Sequence, residues 1–476
     1  MSGSTAGSII AAAGLVPLLA AARPALRALG LAAWTAGVII VAGDLLHSPI
    51  SSLRVEASDR PAVAAVALAA AALAVVIGGL VAHRWPWAYL LAVVAAAPAR
   101  IPVHAGGEDA NLLLPLYAVL AGGWAATVYE MLRGSERPPA LGRVGAAAAA
   151  FVAWSAVTML WTVDERQGAI TMLFFLLPFG LMLSRLGSLR PGRDLLGGAL
   201  AVQVGLALVF AAVAFWEFAA RDVFWNPKII VGNEYAAFFR VNSLFWDASI
   251  YGRFMAVTIV LLAGLGVYRR ITLPLAGLIA VLFAGMYIAY SQSSLLALAA
   301  GALVLGFGVW PRRVTVAVLV ASAVLGLAGL AVALHGNSAN SVSSDRAHLV
   351  DLGRKVIREH PLAGAGVGGF SRAALHGTAH PGRVGSAASH TTPVTVLAEL
   401  GPLGLALFVW LLAEAVRTAM RRAAGRMPEP VLLAALAALV ASSLFYNAFF
   451  EDPAVWILLA LIPTVTPILS RPVAAA

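Results

Sequence analysis

His390 stands just before the apolar run TTPVTVLAELGPLGLALFVWLLAEA, which puts its imidazole at the lip of a cavity among helices. A neutral His in such a place can serve as a general base. Arg240 and Arg253 each sit close to an apolar stretch, and Arg346 starts a polar helix-like segment. A guanidinium beside hydrocarbon is expensive unless it meets an anion or lines a watery cavity. One base and several fixed cations at a single membrane surface suit attack on a substrate whose leaving group is a lipid-held diphosphate. Taken singly, the same residues have plainer readings: a structural His bonded to a loop carbonyl, and solvated or lipid-facing arginines among interfacial aromatics. Their combination is what points to chemistry.

Other patterns offer less. Gly364, Gly366, Gly368 and Gly369 resemble a phosphate loop, but no strand precedes them and no Lys-Ser/Thr follows. A tight turn after Pro361, close-packed or forming a nest of N–H groups for an anion, fits them better. His376 and His380 are four residues apart, yet Gly377 and Pro381 argue for loop and no companion ligand has matching spacing, so no metal site is expected. No Gly-x-Ser-x-Gly elbow occurs, and the serines of SQSS at 291–294 have no evident base beside them. Glu217, Glu399 and Glu414 lie within apolar stretches, where a carboxyl must pair or protonate and a packing role is the simplest. With no Cys in the chain, disulfides, thiolate metal sites and Cys nucleophiles are excluded.

The elements that must position these groups are membrane helices. Of 476 residues 61% are hydrophobic and 11% charged, with a mean hydropathy of +0.89, against about 25% charged in soluble domains. Fourteen apolar runs of membrane-crossing character lie near 28–46, 61–82, 86–99, 111–129, 144–161, 169–184, 195–219, 254–268, 273–290, 294–310, 314–334, 394–416, 431–449 and 454–469. An earlier run, Ile9 to Ala22, is short and reads equally as a span, a re-entrant piece or a surface helix, and the absence of a preceding basic residue makes it a poor cleaved signal. The expectation is an all-α polytopic membrane bundle of about 12–14 transmembrane helices, with a long extracytoplasmic loop carrying short helices. Its organisation divides into transmembrane helices over 1–219, an arginine-bearing outer loop over 220–253, helices over 254–334, a long outer loop over 335–393, and C-terminal helices over 394–476.

The net charge of +10 is mostly a topology signal. Alternating the runs across the membrane collects 18 Lys and Arg on one side against 8 in the short loops of the other, which makes the first side cytoplasmic. Segments 220–253 and 335–393 then face outward, and nucleic acid is not an expected partner. The outward segments are longer than ordinary connectors. In the second, Ser344 to Glu359 reads as an amphipathic helix with Leu349, Leu352, Val356 and Ile357 at helical spacing, lying on the outer membrane surface with a basic face.

The order of FFRVNSLFWDASIYGRFMAV, YSQSSLLALAAG, Arg346 leading to EHPLAGAGVGGF, and SHTTPVTVLAELGPLGL resembles the bacterial O-antigen ligase and polymerase superfamily, over roughly residues 240–405. The resemblance implies a metal-independent, inverting glycosyltransferase without cofactor, in the bacterial cytoplasmic (inner) membrane with its site facing the periplasm or exterior. Its partners would be an undecaprenyl-diphosphate-linked glycan donor, a glycan or lipid-core acceptor as in lipopolysaccharide synthesis, and membrane lipids. It assigns His390 as base and Arg240 as catalytic cation, with Arg240, Arg253, Arg346 and Gln292 on the donor diphosphate. Thr391 stands where the family usually has Asn, Gln292 where it has Arg, and Trp246-Asp247 where it has Pro-Asn. The chain thus reads as a divergent member, in which either Arg253 replaces the missing Arg or the donor is held differently.

A ligase, a repeat-unit polymerase and a protein glycosyltransferase share this chemistry. The sequence ends seven residues after its last apolar run, without a long outer C-terminal domain, which favours ligase or polymerase, with ligase first on overall resemblance. A lipid-linked glycan flippase would share the helices and cations, but no internal repeat is evident and the functional groups cluster on one side. A purely structural membrane component is the third reading, with a dispensable His390 as its signature. Single cysteines introduced into this Cys-free chain test sidedness: positions 240 and 390 should react with an impermeant thiol reagent from outside and position 421 from within, and a cytoplasmic 240 or 390 would overturn the enzyme reading.

Overall fold

The computed structural model describes residues 1–47, 61–105, 108–224, 226–235, 238–308, 346–376, 389, 391–423 and 429–465, with short pieces between 310 and 324. His380, His390, most of the run 314–334, and residues 335–345 and 377–388 of the long segment lie outside these residues.

The helices are α1 (Gly3–Ala20), α2 (Pro24–His47), α3 (Pro61–Arg84), α4 (Pro86–Ala96), α5 (Leu114–Leu132), α6 (Gly142–Val157), α7 (Glu165–Thr171), α8 (Leu177–Gly187), α9 (Arg193–Ala220), α10 (Pro227–Tyr235), α11 (Ala248–Arg269), α12 (Leu273–Tyr287), α13 (Gln292–Phe307), α14 (Arg346–Glu359), α15 (Phe370–Leu375), α16 (Thr392–Ala423), α17 (Glu429–Ser443) and α18 (Pro453–Thr464). A π turn over Met172–Leu176 joins α7 to α8. Among the described residues seven helical segments are long and apolar enough to span a membrane, and six apolar helices are shorter. The all-α polytopic expectation holds, with one addition, an antiparallel hairpin of β1 (Ile101–Ala105) and β2 (Glu108–Leu112).

Small residues let helices approach without a hydrophobic drive between them. The run at Ile9 is a full helix, α1, packed antiparallel on α2 by Gly7 against Gly37 and Gly14 against Gly30, where an added Cβ would strike the partner backbone. Asp44 closes one end of that pair, accepting from Ser4 N at 2.7 Å and Ser4 Oγ at 2.6 Å. The two ends of the bundle are distinct. At the basal end Arg185 donates to both Glu130 oxygens at 2.5 and 2.8 Å, and Arg27 pairs with Glu136. The apical end carries Arg240, Arg253 and the start of α16.

The amphipathic helix appears as α14, but its apolar face is covered by protein. Val356 is buried with Ala365, Phe370, Ala373, Ala374 and Ala398, and Gly353 packs on Val394. Lys355 Nζ donates to the His376 carbonyl at 2.7 Å, so one basic residue of the helix is bound to the chain itself.

The glycine segment docks between α16 and the turn joining α6 to α7. Gly366 has φ +82, and a Cβ there would also overlap Thr162, so the position calls for glycine on both counts. The N–H groups of Gly368 and Phe370 donate to the two Glu399 carboxylate oxygens at 3.0 and 3.2 Å. The nest is therefore filled by the chain's own carboxylate.

Candidate functional site

Arg240 is placed by its backbone. Asn233 grips it from both sides, its Oδ1 accepting from Arg240 N and its Nδ2 donating to Arg240 O, each at 2.9 Å. Beyond it, Glu217 at the end of α9 accepts from Asn242 N at 3.1 Å and Ser243 N at 2.7 Å. Ser243 has φ +52, a strained turn for a non-glycine residue, which the buried carboxylate over-determines. The half-buried Arg240 side chain donates from Nε to the Ala289 carbonyl at 3.2 Å, which fixes it against the turn that leads into α13.

Gln292 is the first residue of α13 and is exposed. Ser291 caps this helix, accepting from Ser294 N, and Ser294 Oγ donates to Ser291 Oγ at 2.8 Å. The serine cluster packs on Gly252 of α11. Arg253, next in sequence, therefore sits on the same apical corner as Arg240 and Gln292. Helix α11 starts at Ala248, capped by Asp247, whose Oδ1 accepts from Ser249 N at 2.6 Å; Arg253 belongs to that helix and not to the preceding loop.

Arg253 is only 3% exposed and its Nη2 lies 2.9 Å from Asp452 Oδ2. Its guanidinium also stacks over Tyr446, 5.7 Å from the ring centroid. Asp452 in turn caps α18 through Ala454 N at 2.9 Å. Arg100 donates to the Glu451 carbonyl at 3.1 Å. Burial raises the Glu451 carboxyl above the ordinary carboxylate range, against the pull of Arg100 and Arg253; burial likewise raises the Tyr446 hydroxyl.

Although His390 is outside the described residues, both its neighbours are anchored. Thr391 Oγ1 donates to the Leu444 carbonyl at 3.1 Å, and the buried Ser389 hydroxyl donates to Thr391 O at 2.8 Å. The chain around His390 is thus tied to the turn 444–452 that carries Arg253's partner. Arg346 opens α14, and its side chain lies outside the described set. Arg240, Arg253 and Gln292 are brought to one corner, and the flanks of His390 to the turn beside it.

Sequence reasoning missed Arg100, Tyr446, Glu451 and Asp452. The apolar run read as 431–449 ends as helix at Ser443. The Asp-Pro pair at 452–453 was the available signal, a cap residue followed by proline at the first helical position. Among the described residues no three His, Asp or Glu side chains gather as a metal site.

Residues 276–409, from α12 into α16, match the family model for O-antigen ligase. No curated protein matches the chain.

Removing Asp452 would leave the Arg253 guanidinium buried without its carboxylate, a loss of about 3–5 kcal/mol. Asp452→Ala should therefore lower the melting temperature of the purified protein sharply, while Arg354→Ala, which removes an exposed partner of Asp351, should leave it unchanged. Equal melting of Asp452→Ala and wild type would contradict a structural ion pair.

Proposed function

We propose, from the premise that this chain belongs to the O-antigen ligase family through residues 276–409, that it transfers a glycan from undecaprenyl diphosphate to an acceptor hydroxyl at the outer face of the bacterial cytoplasmic membrane. The apical end of the bundle is that outer face in this reading, and the acceptor is a lipid-core sugar. Repeat-unit polymerisation would use the same groups with a glycan acceptor.

His390 takes the proton from the acceptor hydroxyl as its oxygen attacks the anomeric carbon. The bond from that carbon to the diphosphate oxygen breaks, and attack from the opposite face inverts the centre. Arg240 neutralises the departing diphosphate, with Gln292 and Arg346 as further donor contacts. Arg253 contributes from behind, its charge shared with Asp452. The donor is already activated by its diphosphate, so the reaction calls for neither nucleotide nor metal.

The observation that carries this reading is the convergence of Arg240 on the α13 turn with the tether of Thr391 to the turn holding Asp452. It supports a cation beside the serine-capped helix start, with Thr391, the neighbour of the proposed base, bonded to the turn 444–452 at the same end of the bundle. Transporter chemistry would need no such base.

His390→Ala and Arg240→Ala should each lower transfer by roughly 100-fold or more in a protein that still melts as wild type. Gel and mass-spectrometric profiling of undecaprenyl-linked glycans checks this in cells. Long lipid-linked chains building up identify a ligase and single repeat units a polymerase, whereas an unchanged profile in both variants overturns the mechanism.

A further inference from the structure

An apolar cavity of about 510 Å³ lies between α4, α9, α11, α17 and α18. Its walls are aliphatic side chains such as Leu200, Val257, Leu261, Leu439 and Leu458. Along α11 it runs from Ile250 to Leu265, about 22 Å at 1.5 Å per residue, which is most of the hydrocarbon thickness of a bilayer. The slot runs parallel to the helices and ends at the apical corner, where Arg100, Arg253 and Asp452 line it. At the other end stands Arg193.

The apical charges are unequal in availability. Asp452 is matched by Arg253. Burial raises the Glu451 carboxyl, against the pull of Arg100 and Arg253, and neither Glu451 nor Asp247, which caps α11, lines the cavity. Arg100 presents a guanidinium at the mouth whose hydrogen bond among the described residues is to a carbonyl, that of Glu451. A guanidinium at the end of a hydrocarbon slot is matched by an anionic head carried on a long apolar chain.

We propose that this slot holds the isoprenoid chain of the lipid-phosphate donor and that Arg100 binds its phosphate, so that Arg100 is a further donor-binding residue. The proposal rests on the donor reading above and deepens it. It accounts for an arginine that the transfer step does not use, and it seats the lipid so that its head emerges where Arg253 and the turn 444–452 meet.

Two substitutions separate head from tail. Gly197 lines the slot, and a Cβ there meets nothing within 4 Å, so Gly197→Leu fills it without straining the helix. Gly205 also faces open space but lies outside the slot, so Gly205→Leu is its control. Full-length protein in nanodiscs is titrated with undecaprenyl diphosphate and with undecaprenol, bound lipid is read by native mass spectrometry, and the melting temperature of each unliganded variant verifies folding.

Wild type should prefer the diphosphate by about tenfold or more, as one charge-assisted contact allows. Arg100→Gln should reduce that preference several-fold, the other donor contacts remaining, without weakening undecaprenol. Gly197→Leu should weaken both lipids about tenfold, and Gly205→Leu neither. If wild type binds undecaprenyl diphosphate but Arg100→Gln and Gly197→Leu bind it equally well, the slot assignment is overturned and the donor reading stands. Equal affinity of wild type for both lipids overturns the role of Arg100 and the diphosphate contacts of the donor reading together. Failure of wild type to bind the diphosphate overturns the donor reading and the slot together.

Discussion

The ion pair between Arg253 and Asp452 is the constraint on which the apical architecture depends. A guanidinium on the second turn of an apolar helix cannot be left without an anion, because neither lipid nor aliphatic side chains solvate it. Asp452 supplies the anion at 2.9 Å, and doing so draws the turn 444–452 onto α11. The same carboxylate starts α18 through Ala454 N. Once that turn is in place, its carbonyls become docking points: Leu444 O for Thr391 and Glu451 O for Arg100. One buried pair thus links a central helix, the C-terminal helix, the segment after α4 and the chain flanking His390.

Two further carboxylates repeat the device. Glu217 accepts from the Asn242 and Ser243 amides, and Glu399 from those of Gly368 and Phe370. In each case an irregular backbone segment lies at the end of a membrane helix, where its N–H groups need partners that lipid cannot provide. An acidic side chain on the adjoining helix gives two bonds from one residue. The polar sequences that carry Arg240 and the glycine turn are therefore held by acids placed in otherwise apolar helices, which explains why those acids sit where a charge is costly.

The local features of this fold were legible in the sequence: apolar runs became helices, the amphipathic spacing of Leu352, Val356 and Ile357 became α14, and the glycines became a turn with positive φ at Gly364, Gly366 and Gly368. Arg240 and Arg253 were singled out by type and neighbourhood and Gln292 through the family resemblance, and all three lie at the apical end. Pairing was not legible. Nothing near Arg253 in sequence announces Asp452, since only packing of α11 against the α17–α18 turn brings them together. For the same reason α14 was expected to lay its apolar side on lipid, whereas Ala398 and Phe370 cover it. The ambiguity of the run at Ile9 was resolved by α2, whose glycines offer α1 a surface to pack on.

The central claim is that the chain around His390 is fastened to the turn that holds Arg253's partner. Cysteines placed at Thr391 and Leu444 in this Cys-free chain, joined with a short thiol-specific cross-linker in native membranes, measure it directly. The account predicts rapid, near-complete cross-linking within one chain, reversed by reductant if the linker carries a disulfide. Failure of this pair to cross-link, while both thiols still react with a single-ended reagent, would contradict it.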